Sequence, residues 1–123
     1  MDRPSPKELG AYGERLACRY LVDRGYVINT RNWRCVRGEI DIVATRPGTL
    51  AVCEVKTRSS ELFGAPFEAV TPRKLGRLRL LAGLWLDSLP PADRPAGVLR
   101  VDVISVLKAP AAAARIEHLV GVS

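Results

Sequence analysis

Apolar residues recur along this chain at two spacings, and the switches between them mark the elements. Leu9, Leu16, Ala17, Tyr20 and Leu21 fall on one helical stripe. Ser5 ahead of it suits an N-cap, Pro6 suits the first helical position, and Glu8 completes a capping box. Gly25 supplies the stop. Tyr26-Val27-Ile28 opens a strand running toward Trp33, and two further strands follow, over 38–44 and 50–58. Between these two lies Arg46-Pro47-Gly48-Thr49, a turn with Pro and Gly at its centre. Ser59 to Pro66 reads as a loop. Thr71-Pro72 starts a second helix, with Leu75, Leu78, Ala82, Trp85 and Leu89 as its apolar stripe and Pro90-Pro91 as its end. Ala92 to Gly97 reads as a loop and Val98 to Leu107 as a strand. Ala109 to Ala114 reads as a flexible connection and Ile116 to Val120 as an edge strand. The order helix, three strands, helix, two strands predicts an α/β sandwich, a mixed sheet flanked by helices, in a single domain spanning 1–123.

The polar residues inside the strands carry the chemistry. Gly38-Glu39-Ile40-Asp41-Ile42-Val43-Ala44 and Val52-Cys53-Glu54-Val55-Lys56-Thr57-Arg58 set carboxylates among aliphatic residues. Charge buried in a strand is costly unless it is paired or binds metal. A hairpin symmetric about Pro47-Gly48 sets Asp41 opposite Glu54 and Glu39 opposite Lys56, and alternation would put all four on one face. Opposed carboxylates repel, and a divalent cation reverses that interaction. Asp41 and Glu54 are therefore candidate ligands of Mg²⁺ or Mn²⁺, with the Val55 carbonyl as a further ligand and Glu14, from the first helix, as a third carboxylate. Lys56 would orient or activate a water attacking a phosphodiester. Glu39 pairs with Lys56 or stands behind the ligands.

Charge extends this picture. The 123 residues carry a net +6 and 47% hydrophobic residues, and arginine greatly outnumbers lysine. A basic balance favours an anionic partner, of which nucleic acid is the usual one. Arg31, Arg34 and Arg37 cluster before the first carboxylate strand, Arg73, Lys74, Arg77 and Arg79 cluster in the second helix, and Arg58 follows Lys56. Of these, Arg34, Arg37, Arg58, Lys74 and Arg77 are candidate phosphate contacts. No apolar run approaches the roughly 20 residues of a membrane span. The N-terminus has no apolar stretch of the signal-peptide kind, and Cys18, Cys35 and Cys53 lack zinc spacing. These features lead to the expectation of a reduced cytoplasmic protein without membrane partners. Arg100 with Asp102 reads as a structural pairing, His118 as a surface or edge histidine, and Trp33 as core or as a base-stacking platform.

Several separated motifs, in order, resemble one family. Gly13-Glu14, Ala17, Tyr20-Leu21, Gly25-Tyr26, Asn32-Trp33-Arg34, the two carboxylate strands, Lys74 and Arg100-Val101-Asp102-Val103-Ile104 look like the YraN family of bacteria. That family is grouped with the restriction-endonuclease-like PD-(D/E)xK nucleases and is similar to Holliday-junction resolvases. The resemblance implies a restriction-endonuclease-like sandwich. It puts the superfamily's acids on Asp41 and Glu54, its lysine on Lys56, and the resolvase-branch helix acid on Glu14. It implies a Mg²⁺-dependent DNA endonuclease, acting on branched DNA in repair or recombination and commonly as a homodimer. The alternative is a nucleic-acid-binding or adaptor protein that keeps the fold without catalysis. The chain departs from the superfamily pattern at Ile40, where proline is common, and from the family at Cys53, where a bulkier apolar residue is more frequent.

Overall fold

Ser5 and Glu8 cap the first helix reciprocally. The Glu8 N–H donates to Ser5 Oγ at 3.1 Å and the Ser5 N–H donates to Glu8 Oε1 at 3.0 Å. The computed structural model describes residues 5–59, 70–108 and 113–122. Helix α1 spans Pro6–Asp23, and strands β1 (Val27–Cys35), β2 (Gly38–Arg46) and β3 (Thr49–Arg58) follow. Helix α2 spans Pro72–Asp87, with Thr71 Oγ1 accepting the Lys74 N–H at 3.1 Å as its cap. A short 3-10 turn, Pro91–Asp93, falls within a segment expected to be irregular throughout. Strands β4 (Val98–Leu107) and β5 (Arg115–Leu119) complete the chain. Most of the expected Ser59–Pro66 loop and of the Ala109–Ala114 connection lies outside the described residues.

The sheet order is β1-β2-β3-β4-β5. The β3–β4 pair is parallel and the other three pairs are antiparallel. Parallel neighbours need a crossover, and α2 provides it. Alternation along the central strands then sends side chains to two helical layers. Ala51, Cys53, Ile104 and Val106 pack with Ala17 and Leu21 of α1. Leu50, Val52 and Val101 pack with Leu78, Leu81, Ala82 and Trp85 of α2. The sheet is thus covered on both faces, which explains the nearly continuous apolar run of β4. Among the described residues no helix is long and apolar enough to cross a membrane.

Two glycines set distances that matter for the site. Gly48 turns the β2–β3 hairpin at φ 79°, a conformation that favours glycine. Gly13 lies against Thr57 so closely that any Cβ there would overlap the threonine side chain. The missing side chain lets α1 rest on β3, and Glu14 is the next residue along.

Candidate functional site

The expected hairpin register holds from Arg46↔Thr49 to Ile42↔Cys53, and the paired ladder stops there. One residue further on, Asp41 enters the opening between the strands. Its Oδ2 accepts the Val55 N–H at 2.8 Å, so a side chain takes the place of a ladder carbonyl. The alternation of β2 reverses at the same point. Ile42 packs toward α1, whereas Ile40 packs toward α2. Across the ladder β1 does the same. Arg31 pairs with Ile42 and Trp33 with Ile40, and between them Asn32 takes a left-handed φ of 52°. Asparagine tolerates that conformation better than most residues.

This kink corrects the expectation of four charged side chains on one face. Glu39 does not meet Lys56. It lies opposite Arg34 on β1, and Arg34 Nε stands 2.8 Å from Glu39 Oε2. The reason is geometric: β2 and β3 have already parted where that cross-strand pair would form. Glu54 and Lys56 share the α2 side of β3, two residues apart. Lys56 makes no ion pair among the described residues and is half-buried. Lys74, from the first turn of α2, brings its ammonium to 2.6 Å from Glu54 Oε2. Its expected place was among phosphate contacts, and nothing in the local sequence signalled this carboxylate. Of the other basic candidates, Arg34, Arg37 and Arg77 are exposed, with Arg77 alongside Gly38. Arg58 is half-buried at the end of β3.

Negative charge converges on Asp41. Burial pushes its carboxyl up to about 6, and Glu54, Glu14 and Glu39 add to the rise, while the Val55 N–H opposes it. Glu14 is itself raised, first by burial and then by Glu39, against the Arg31 charge and a hydrogen bond from Asn32. Arg31 approaches Glu14 only to 3.9 Å. Among the described residues, Glu14 Oε1 and Glu54 Oε2 are the buried side-chain oxygens with no hydrogen-bond partner, since the Lys74 contact lacks hydrogen-bond angles. Glu14, Arg31, Asn32, Arg34 and Glu39 line an open trough of about 790 Å³ between α1 and β1. Glu14 and Glu39, whose charges act on Asp41, line the trough, but Asp41, Glu54 and Lys56 do not.

With side chains placed this way, no three His, Cys, Asp or Glu residues stand close enough to hold a metal ion among the described residues. A magnesium site commonly needs only one or two protein carboxylates, with water and phosphate oxygens completing the shell. Asp41 and Glu54 meet that lower requirement. They are oxygen donors in an acid-rich opening, and Glu54 Oε2 already carries a cationic neighbour.

A second polar cluster lies on the α1 side, toward the β5 edge. Asp102 is fully buried and accepts from Arg100 Nε and Nη2, each at 2.8 Å, and from the Gly121 N–H at 2.9 Å. His118 Nε2 lies 2.7 Å from the same carboxylate, and its Nδ1 lies 3.2 Å from the Tyr20 hydroxyl. Burial alone would raise Asp102, but the hydrogen bonds from His118, Arg100 and Gly121 bring it down to about 2. The pairing of Arg100 with Asp102 is as expected. His118 lies on the edge strand β5, as one of its two expected places, but it is not a surface residue: its side chain is 7% exposed and ties β5 and α1 to β4. Every partner of Asp102 is accounted for within the fold, so this cluster reads as structural.

A family model described as "Uncharacterised protein family UPF0102" matches residues 13–106. That span contains Glu14, Asp41, Glu54, Lys56 and Lys74. A UPF0102 protein of Beutenbergia cavernae is 54% identical over 114 residues, which are 93% of this chain and 94% of the relative. A UPF0102 protein of Streptomyces griseus is 49% identical over 115 residues, 94% of this chain and 95% of the relative. From motifs, matched span and full-length relatives alike, this chain belongs to the UPF0102 family.

Proposed function

We propose that this chain is a metal-dependent DNA endonuclease whose three layers form a restriction-endonuclease-like sandwich, acting on branched DNA in repair or recombination. One observation carries the reading. Asp41 is half-buried at the opening of a β-hairpin with three further carboxylates raising its pKa, and whereas those three have Arg31, Arg34 and Lys74 beside them, Asp41 itself makes no ion pair among the described residues. A structural role does not account for such an arrangement, because repelling acids destabilise the fold that holds them. A divalent cation makes it favourable.

In this reading Asp41 and Glu54 would hold Mg²⁺ or Mn²⁺, and Glu14 would supply a third carboxylate to the ion or its waters. When bound, the ion polarises the phosphate and lowers the pKa of coordinated water. The Val55 N–H fixes Asp41 Oδ2, so Asp41 Oδ1 would be the oxygen offered to the ion. Lys56, on the Glu54 side of β3 and free of ion pairs among the described residues, orients the attacking water and offsets charge on the phosphate. Arg34, Arg37, Arg58 and Arg77 meet neighbouring phosphates. Cutting two strands of a junction calls for two such sites, hence a homodimer, and free thiols at Cys18, Cys35 and Cys53 suit the cytoplasm.

Cleavage of four-way junctions, linear duplex and single-stranded RNA in Mg²⁺ or Mn²⁺ tests the proposal. Cleavage of a DNA form is expected, with Asp41→Asn and Lys56→Ala each lowering the rate at least about a hundredfold. No cleavage of any form, or cleavage unaffected by both substitutions, contradicts it. The rival reading, a non-catalytic nucleic-acid-binding protein, draws on the Lys74–Glu54 contact, which offsets the charge of one acid without metal. It predicts salt-dependent DNA binding that Asp41→Asn leaves unchanged.

A further inference from the structure

Lys74 is the one ammonium that touches the acid cluster among the described residues, and the contact has two unusual properties. It is close, 2.6 Å from Glu54 Oε2, yet outside hydrogen-bond angles. It is also unequal in burial: the Glu54 side chain is 17% exposed and the Lys74 side chain 41% exposed. The carboxylate is therefore fixed in the strand, while the lysine reaches it from the first turn of α2 along a partly solvated path. Arg77, one turn on, and Arg73, its neighbour, are both exposed on that helix.

From this we infer that Lys74 is a built-in counter-ion that occupies Glu54 in the metal-free chain and is displaced when a divalent cation binds. The inference rests on the metal reading of Asp41 and Glu54. The Lys74 ammonium stands against Glu54 Oε2, an oxygen with no hydrogen bond to hold it there, so a dication that takes this oxygen competes with the lysine and repels it. The lysine is the mobile partner, because its stem is flexible and its head already reaches water. Once displaced, the ammonium joins Arg73 and Arg77 on the exposed face of α2, where it meets a DNA phosphate. Metal loading and phosphate binding are thereby coupled through a single side chain. This also explains how four carboxylates can gather around one opening in a folded, metal-free chain: Lys74 offsets part of their charge until the cation arrives.

Titration calorimetry of the full chain with Mn²⁺ tests this without any activity measurement. Lys74→Met removes the competitor and should bind Mn²⁺ roughly fivefold more tightly than wild type, the factor given by a partly exposed ion pair at the top of its usual range. Lys74→Arg keeps the charge and should stay within about twofold of wild type. Far-ultraviolet circular dichroism confirms that both variants are folded. Equal affinity of wild type and Lys74→Met, or weaker binding by Lys74→Met, overturns the counter-ion role and leaves the metal site standing. Absence of Mn²⁺ binding by all three folded chains overturns the metal reading, and the counter-ion role with it.

Discussion

Replacing Asp41 by Asn should make the folded chain more stable near neutral pH, although it removes the charge from a half-buried side chain that accepts the Val55 N–H. The carboxyl is pushed from its ordinary 3.8 to about 6, mainly by burial and further by Glu54, Glu14 and Glu39. At about 1.4 kcal/mol per pH unit, the ionised side chain costs the folded state at most about 3 kcal/mol above pH 6. The sign follows from the raised value. Below 3.8 both folded and unfolded chains hold the proton and the cost is absent; stability is lost as pH rises through about 6. Asn keeps an oxygen to accept the Val55 N–H and has no charge to bury. Allowing for residual solvent around Asp41, the gain is about 1–3 kcal/mol at about pH 8 and near zero at about pH 4. Urea unfolding followed by the fluorescence of Trp33 and Trp85 measures it. With a slope of about 1–3 kcal/mol per molar urea, the midpoint should move up by about 1 M at the higher pH alone. Saturating Mn²⁺ should narrow or reverse the difference by stabilising wild type, by about 1.4 kcal/mol at tenfold excess over its dissociation constant. A variant less stable than wild type at about pH 8, or a difference that is the same at both pH values, refutes the reasoning.

The Asp102 cluster should behave in the opposite sense. Asp102→Asn leaves Arg100 without its ionic partner and should cost about 3–5 kcal/mol in urea unfolding. Because Asp102 is lowered to about 2, its contribution is present above about 4 and is lost as pH falls toward about 2, which acid titration of wild type against the variant would show. Gly13→Ala forces α1 off Thr57 and should cost about 1–3 kcal/mol in thermal or urea unfolding. It should also weaken Mn²⁺ binding by moving Glu14 away, whereas Gly10→Ala, with open space around it, should change neither.

How far the sequence reaches depends on how local the cause is. The capping box at Ser5 and Glu8, the Thr71 cap and the Pro47-Gly48 turn are decided within a few residues, and each forms as read. The hairpin register is equally local, so Ile42↔Cys53 is where symmetry about the turn places it. Extending that symmetry by one pair fails, because the ladder ends at Ile42↔Cys53. The left-handed Asn32, the reversed alternation between Ile40 and Ile42 and the open ladder at Asp41 occur at one level of β1 and β2. An asparagine inside a strand pattern was the available signal. The contacts of His118 with Tyr20 and of Lys74 with Glu54 join residues far apart in sequence, and no periodicity encodes them. The candidate acids were legible because charge among aliphatic residues is conspicuous; their actual partners were not.

The central claim, that Asp41 and Glu54 form a divalent-cation site, meets its most direct test in anomalous diffraction from a crystal soaked in Mn²⁺. One peak is expected at the opening of the β2–β3 hairpin, at about 2.1 Å from an Asp41 oxygen and a Glu54 oxygen, with the Lys74 ammonium withdrawn from Glu54. A fully soaked crystal with no peak between those two carboxylates, and Lys74 still against Glu54, would contradict it.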